Sequence, residues 1–170
     1  TTGNLTLTGD VLTNSDTTAI GGDVDINGDV TINPAGFAEV FMDVDAGAAD
    51  GNIDINGTIN GVTPNFNSDD ALVMWAGTGT INLQGDIGDS VPLDYFTVNS
   101  ASLVDLASVT TAGDIAVFST DIHLNGTDYA STEAGLILFV GSVSLDAANP
   151  IGVETAGAVG DDIVFDGTVD

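Results

Sequence analysis

The chain contains no lysine and no arginine in 170 residues, against 26 aspartates and glutamates, which sets a formal charge of −26. A surface without a strong cation cannot neutralise phosphates, so nucleic-acid binding is excluded. Anionic membrane surfaces repel such a chain for the same reason. Salt bridges to Lys or Arg cannot form either, so self-repulsion has to be relieved by screening, protonation or bound cations. Cysteine is also absent, which rules out a disulfide framework and leaves the redox compartment open. No run approaches the ~18 apolar residues of a membrane helix, so membrane insertion is not expected. His123 is the only histidine. Lacking a second His or a Cys it builds no zinc site, and it reads as an exposed strand residue. No Gly-x-Ser-x-Gly nucleophile elbow occurs.

What is present points to a packed β-protein. Hydrophobic residues make up 43% and the mean hydropathy is +0.30, so the acidity is not that of a disordered tail. Among the acids only Glu39, Glu133 and Glu154 are glutamate. Aspartate suits turns and strand ends, whereas glutamate suits helices. The chain starts at Thr1 without an initiator Met or a signal-peptide pattern, which suggests a processed subunit or a segment of something longer.

A nine-residue phrase recurs: Gly, any, aliphatic, any, large apolar, any, Gly, any, aliphatic. It reads GNLTLTGDV from Gly3, GDVDINGDV from Gly22, GNIDINGTI from Gly51, GTINLQGDI from Gly79 and GLILFVGSV from Gly135. DDIVFDGTV, from Asp161, keeps all but the first glycine, and Tyr95–Leu103 and Gly113–Ile122 are looser copies. Within each copy the period is two, with aliphatics such as Ile53 and Ile55 on one face and Asn52 and Asp54 on the other. The Asn-Gly pairs at 27–28, 56–57, 60–61 and 125–126 read as positive-φ turns. Copies spaced mostly by roughly 20–30 residues are the mark of a stacked repeat. The expected fold is therefore all-β: one parallel β-helix (β-solenoid) of irregular coils over residues 1–170. Seven or eight coils would make a rod roughly 35–40 Å long. The alternative is an antiparallel β-sandwich. The contrary segment is Asn33–Ala49, where the spacing of Phe37, Val40 and Phe41 after Pro34 permits a short helix.

The stretches GGDVDINGDVTI, DGNIDINGTING, AGTGTINLQGDIG and SLVDLASVTTAGDIAVFSTDIHLNGTDY resemble the giant bacterial surface proteins built from β-strand repeats, the filamentous-haemagglutinin-like adhesins. The resemblance implies a right-handed parallel β-helix, secretion, and a structural or adhesive role, and brings no catalytic motif. β-Helix lyases acting on acidic polysaccharides use Arg or Lys, which this chain lacks, so an enzyme is not expected. Repeats of this family carry Thr at outward positions, where this chain often carries apolar residues.

Three groups of residues are candidates for function. Asp43, Asp45, Asp50 and Asp54 form an oxygen-rich run resembling a calcium loop, although its spacing is not that of an EF-hand and a solvated acidic turn is the preferred reading. If turns stack, Asp25 and Asp54 share a frame and repel, which makes calcium the expected counter-ion without any required cofactor. Leu136, Leu138 and Val140 point outward by the repeat frame, as do Phe118 and Val164, and Trp75 sits in the apolar run LVMW. Strands apolar on both faces must be covered on both, either by loops such as Asn33–Ala49 or Thr63–Asp70 or by another molecule. Gly3, Leu5 and Leu7 at one end, with Ile163, Phe165 and Val169 at the other, belong to β-phrases without a cap, and expect end-to-end pairing.

The expected function is that of an extracellular structural protein, a self-associating unit of a cell-surface filament, matrix or adhesin. The alternative is a glycan- or receptor-binding module using Trp75, Tyr95 or Tyr129. A polysaccharide-active β-helix enzyme is the remoter reading, because any two of the acids might converge. Asn4, Asn56 and Asn125 head Asn-x-Thr sequons, for which turn chemistry is the preferred reading.

Overall fold

The computed structural model describes residues 4–13, 22–34, 39–46, 50–62, 70–157 and 159–170. Gly3, most of the Thr63–Asp70 loop, and residues 35–38 and 47–49 of the expected helical segment lie outside the described residues. Strands begin with β1 (Leu5–Leu7), β2 (Val11–Leu12), β3 (Val24–Ile26), β4 (Val30–Ile32), β5 (Val40–Asp43) and β6 (Ile53–Ile55). They continue as β7 (Ile59–Asn60), β8 (Leu72–Trp75), β9 (Thr80–Leu83), β10 (Phe96–Ser100), β11 (Leu103–Leu106) and β12 (Val109–Thr111). The last are β13 (Ile115–Leu124), β14 (Asp128–Ser131), β15 (Ile137–Leu145), β16 (Gly152–Thr155) and β17 (Ile163–Asp166).

Every named pair among these strands is parallel. An antiparallel sandwich is therefore not this architecture. The described residues contain no helix, and residues 40–43 of the expected helical segment form β5. Val40 and Met42 are buried while Phe41 and Asp43 are half-buried on the opposite side. Four residues cannot distinguish one helical turn from a strand by spacing alone; pairing with β8 decides it.

The pairings form three ladders, which the chain visits in turn. The first holds β3, β6, β9, β11 and the second halves of β13 and β15. The second holds β1, β4 and β7, continues through single bridges at Ile87, and ends in β12, β14 and β16. The third holds β2, β5, β8, β10, the first halves of β13 and β15, and β17. Because β13 and β15 run unbroken from the third ladder into the first, those two ladders join into one curled sheet of eleven strands.

Inward side chains stack in register. Val24, Ile53, Ile81, Val104, Ile122 and Val143 form one column, and Val40, Leu72, Phe96, Ile115 and Ile137 another. All belong to one continuous apolar core. Each such aliphatic contributes about 1.5–3 kcal/mol on burial. Tyr129 also lies in this core, in register with Val109 and Val153. Its hydroxyl donates to the Leu106 carbonyl at 2.8 Å and accepts from the Gly126 N–H at 3.1 Å. Its ring meets Phe139 edge-on at 6.0 Å. Burial, chiefly, holds its phenol well above the usual tyrosine range, aided by the Asp86 charge and opposed by the Gly126 hydrogen bond.

The glycines of the repeated phrase serve close approach between turns. A Cβ on Gly57 would meet the backbone of Gly28 and Asp29, one on Gly51 that of Gly22, and one on Gly85 that of Gly57. The positive-φ reading of the Asn-Gly pairs is corrected here, since Gly28, Gly57, Gly61 and Gly126 are not among the glycines with positive φ. Strands turn these corners with adjacent backbones nearly touching, so the side chain is excluded by its neighbour rather than by the local torsion.

Gly57→Ala should therefore cost about 1–3 kcal/mol in urea denaturation. Gly9→Ala, where a Cβ meets nothing within 4 Å, should stay within about 0.5 kcal/mol. Equal effects would mean that the corners relax freely. Tyr129→Phe should cost about 0.5–1.5 kcal/mol by removing the buried hydroxyl's two hydrogen bonds, the Leu106 carbonyl keeping the Asn125 N–H at 2.9 Å. The wild-type phenol titrates higher folded than unfolded, so its contribution is complete below its ordinary value of 10.0 and is lost as pH rises beyond it. The variant should lack that alkaline loss in pH-dependent melting.

Candidate interaction surface

The three ladders present different outer faces. On the first, Asp25, Asp54, Asn82, Asp105, His123 and Ser144 stand in register. The expected juxtaposition of Asp25 and Asp54 is thus present, one directly above the other. Amides interrupt the acid column: Asn82 Nδ2 donates to Asp54 at 3.2 Å and Asn27 Nδ2 to Asp25 at 2.8 Å. His123 Nδ1 lies 3.0 Å from Asp105 and 3.5 Å from Asp146, so this half-exposed strand residue stands between two acids.

Other aspartates act as clamps between turns. Asp23 Oδ1 accepts the Asn52 N–H at 2.8 Å, Asp29 Oδ1 the Thr58 N–H at 3.1 Å, and Asp114 Oδ1 the Leu136 N–H at 2.8 Å. The short aspartate side chain reaches the backbone of the adjoining turn, and such charge-assisted bonds are stronger than neutral ones. This use of Asp near corner glycines explains why glutamate is scarce.

The four acids of the expected calcium run do not gather. Asp54 is on the first ladder and Asp43 on the third. Asp45 and Asp50 sit near Gly77, at the corner between β8 and β9. Asp50 Oδ2 accepts both the N–H and the hydroxyl of Thr78, at 2.6 and 2.7 Å. Among the described residues no three His, Asp or Glu side chains are arranged to hold a metal ion.

The outer face of the third ladder is apolar over much of its length. In register along it run Phe41, Val73, Thr97, Ala116, Leu138 and Val164. Beside them stand Leu12, Asp43, Trp75 and Ser100, then Phe118 and Val140. Phe118 and Val164 are each 37% exposed. Leu136, Leu138, Val140 and Trp75 are half-buried. The residues expected to point outward thus share one face, because β13, β15 and β17 stack in register there. Phe41 and Trp75 pair with ring centroids 5.4 Å apart and rings inclined at 57°. With Asp10, Leu12 and Asp43 they line an open cleft of about 220 Å³.

Compared with protein-family models, curated proteins and solved structures, the chain matches none. Its surface must be read from its own residues.

The aromatics named for glycan contact separate. Tyr129 is fully buried and drops out. Tyr95 lines a cleft with Asp94, Gly113, Asp114 and Ala134, and Trp75 belongs to the apolar face. The residues named for end-to-end pairing lie at the two edges of the described stack: Leu5 and Leu7 in β1, Ile163 and Phe165 in β17, and Val169 bridged to Val143. Ile163 and Val169 are 42% and 46% exposed, although both stand on buried residues, Ile137 and Val143. The three sequon asparagines are exposed. Asn56 Nδ2 donates to Asn27 at 2.6 Å and Asn125 Nδ2 to Asp105 at 3.4 Å, which ties both amides into the first ladder's face. Sequence reasoning missed Asp10, Leu12 and the outward Phe41. The alternation in VFMD was the signal for Phe41, obscured by the helical reading.

Asp54→Asn removes the repulsion with Asp25 and keeps an oxygen for Asn82. It should raise stability by about 0.5 kcal/mol at low ionic strength, and the gain should fade in ~0.5 M salt. Paired denaturation curves at the two salt levels measure it; a salt-independent or negative change contradicts the repulsion.

Proposed function

We propose that this chain is a β-solenoid unit of an extracellular structural protein, self-associating in a cell-surface filament, matrix or adhesin. The observation that carries the reading is the apolar outer face of the third ladder. A parallel strand apolar on both sides needs cover on both, and exposed apolar patches on otherwise polar molecules mark association sites. The acidic first face stays hydrated and turns away from the contact. Counter-ions, calcium first, lower the repulsion between copies that each carry −26. Stacked parallel turns also leave ladder edges at β1 and β17, and edges of this kind accept a further strand. The chain has no cation for grasping an acidic polysaccharide and no triad-like constellation among its motifs, which favours a structural role over catalysis.

Sedimentation velocity of the intact chain at about 100 µM, well above a micromolar Kd, should show oligomers in calcium that loosen in chelator. Leu138→Asp and Val164→Asp should each shift the distribution toward monomer by ten-fold or more in Kd, about 1.4 kcal/mol. Val164 is at the exposed edge, so its variant is not expected to disturb the core. A wild-type chain monomeric under both conditions overturns the proposal.

A further inference from the structure

We infer that the cleft lined by Asp10, Leu12, Phe41, Asp43 and Trp75 receives an arginine or lysine side chain from a basic partner protein. Its wall is the inclined Phe41–Trp75 pair, 5.4 Å between centroids, both rings half-buried and lining the cleft. Cations are drawn to such faces, to tryptophan most strongly. Asp10 and Asp43 complete the lining. Their geometry is set by the fold: Asp10 Oδ1 accepts the Phe41 N–H at 3.1 Å, and Asp43 Oδ1 accepts the Asp45 N–H at 3.0 Å. Each carboxylate is thereby oriented.

The ligand class follows from what the cleft would do to each occupant. An anion is repelled by both carboxylates. A neutral apolar group desolvates them without compensation. An organic cation with a flat or aliphatic body meets the rings and the charges together. The volume of about 220 Å³ suits one side-chain head rather than a drug-sized ligand, whose pockets run to roughly 300–1,000 Å³. A second copy of this chain cannot supply the group, because it has neither lysine nor arginine. The occupant is therefore a different molecule. The cleft lies on the same ladder face as Phe118, Leu138 and Val140, so a protein segment bearing apolar residues beside its cation has surface to cover. The chain's negative field steers such a partner in. This inference does not rest on self-association.

Trp75 is the only tryptophan, so its emission reports on the cleft directly. The intact chain is titrated with a capped Leu-Arg-Leu-Arg peptide, with the same peptide carrying neutral citrulline, with tetramethylammonium and with a neutral glucose oligosaccharide. A saturable emission change is expected with the arginine peptide, about ten-fold weaker or absent with citrulline and weakened by salt. The double variant Asp10→Asn, Asp43→Asn keeps a side-chain oxygen to accept each backbone N–H and should lose at least about ten-fold in affinity at an unchanged circular-dichroism spectrum. Equal binding of the citrulline peptide, tighter binding of the oligosaccharide or tetramethylammonium, or no saturable response overturns the inference. The peptide series uses the wild-type chain and decides the matter even if the variant misfolds. Loss of oligomers in Leu138→Asp with the arginine response intact would separate this site from the self-association surface.

Discussion

Everything in this molecule depends on how closely one turn of backbone lies on the next at its corners. Parallel ladders bring strands together side by side, but strands that also bend between ladders bring their corner carbonyls against the neighbouring Cα. Only glycine fits at Gly51, Gly79, Gly57 and Gly85, each set against the corner glycine of the preceding turn. With those corners closed, aliphatic side chains of successive turns stand directly on one another. The core becomes a set of continuous columns rather than an interlocking of distant segments.

The charge of the chain is compatible with this stacking because much of it is used locally. Aspartates beside the corners accept N–H groups from the adjoining turn, and the outer acid column is broken by Asn82 and by His123. A glutamate would overreach such a corner. A lysine is not needed where backbone amides already face the carboxylate. The remaining field favours cationic solutes and partners, and against it the outer face of the third ladder carries apolar side chains such as Leu138, Phe118 and Trp75.

The repeated phrase was legible in the sequence as strand, corner, strand, and its period of two assigned inward and outward residues correctly at Ile53, Ile55, Ile137 and Phe139. Its place in the stack was not legible. The copies from Gly22, Gly51 and Gly79 run from the first ladder to the second, the copy from Gly3 reaches from the second to the third, and those from Gly135 and Asp161 turn from the third to the first. One local unit serves three different corners, which is why its spacing along the chain is irregular. The same blindness hid the cleft, since Asp10 and Phe41 meet only because their strands are adjacent in one ladder.

The sequence by itself determined the β-character, the alternation of faces and the acids that share a frame. These follow from composition and from a two-residue period, both local properties. The tertiary structure decided that all named strand pairs are parallel, that corner glycines serve contact rather than torsion, that Tyr129 is core and not surface, and that scattered apolar residues share one outer face. Those outcomes depend on register between turns, and register is a relation between distant segments that a local pattern does not carry.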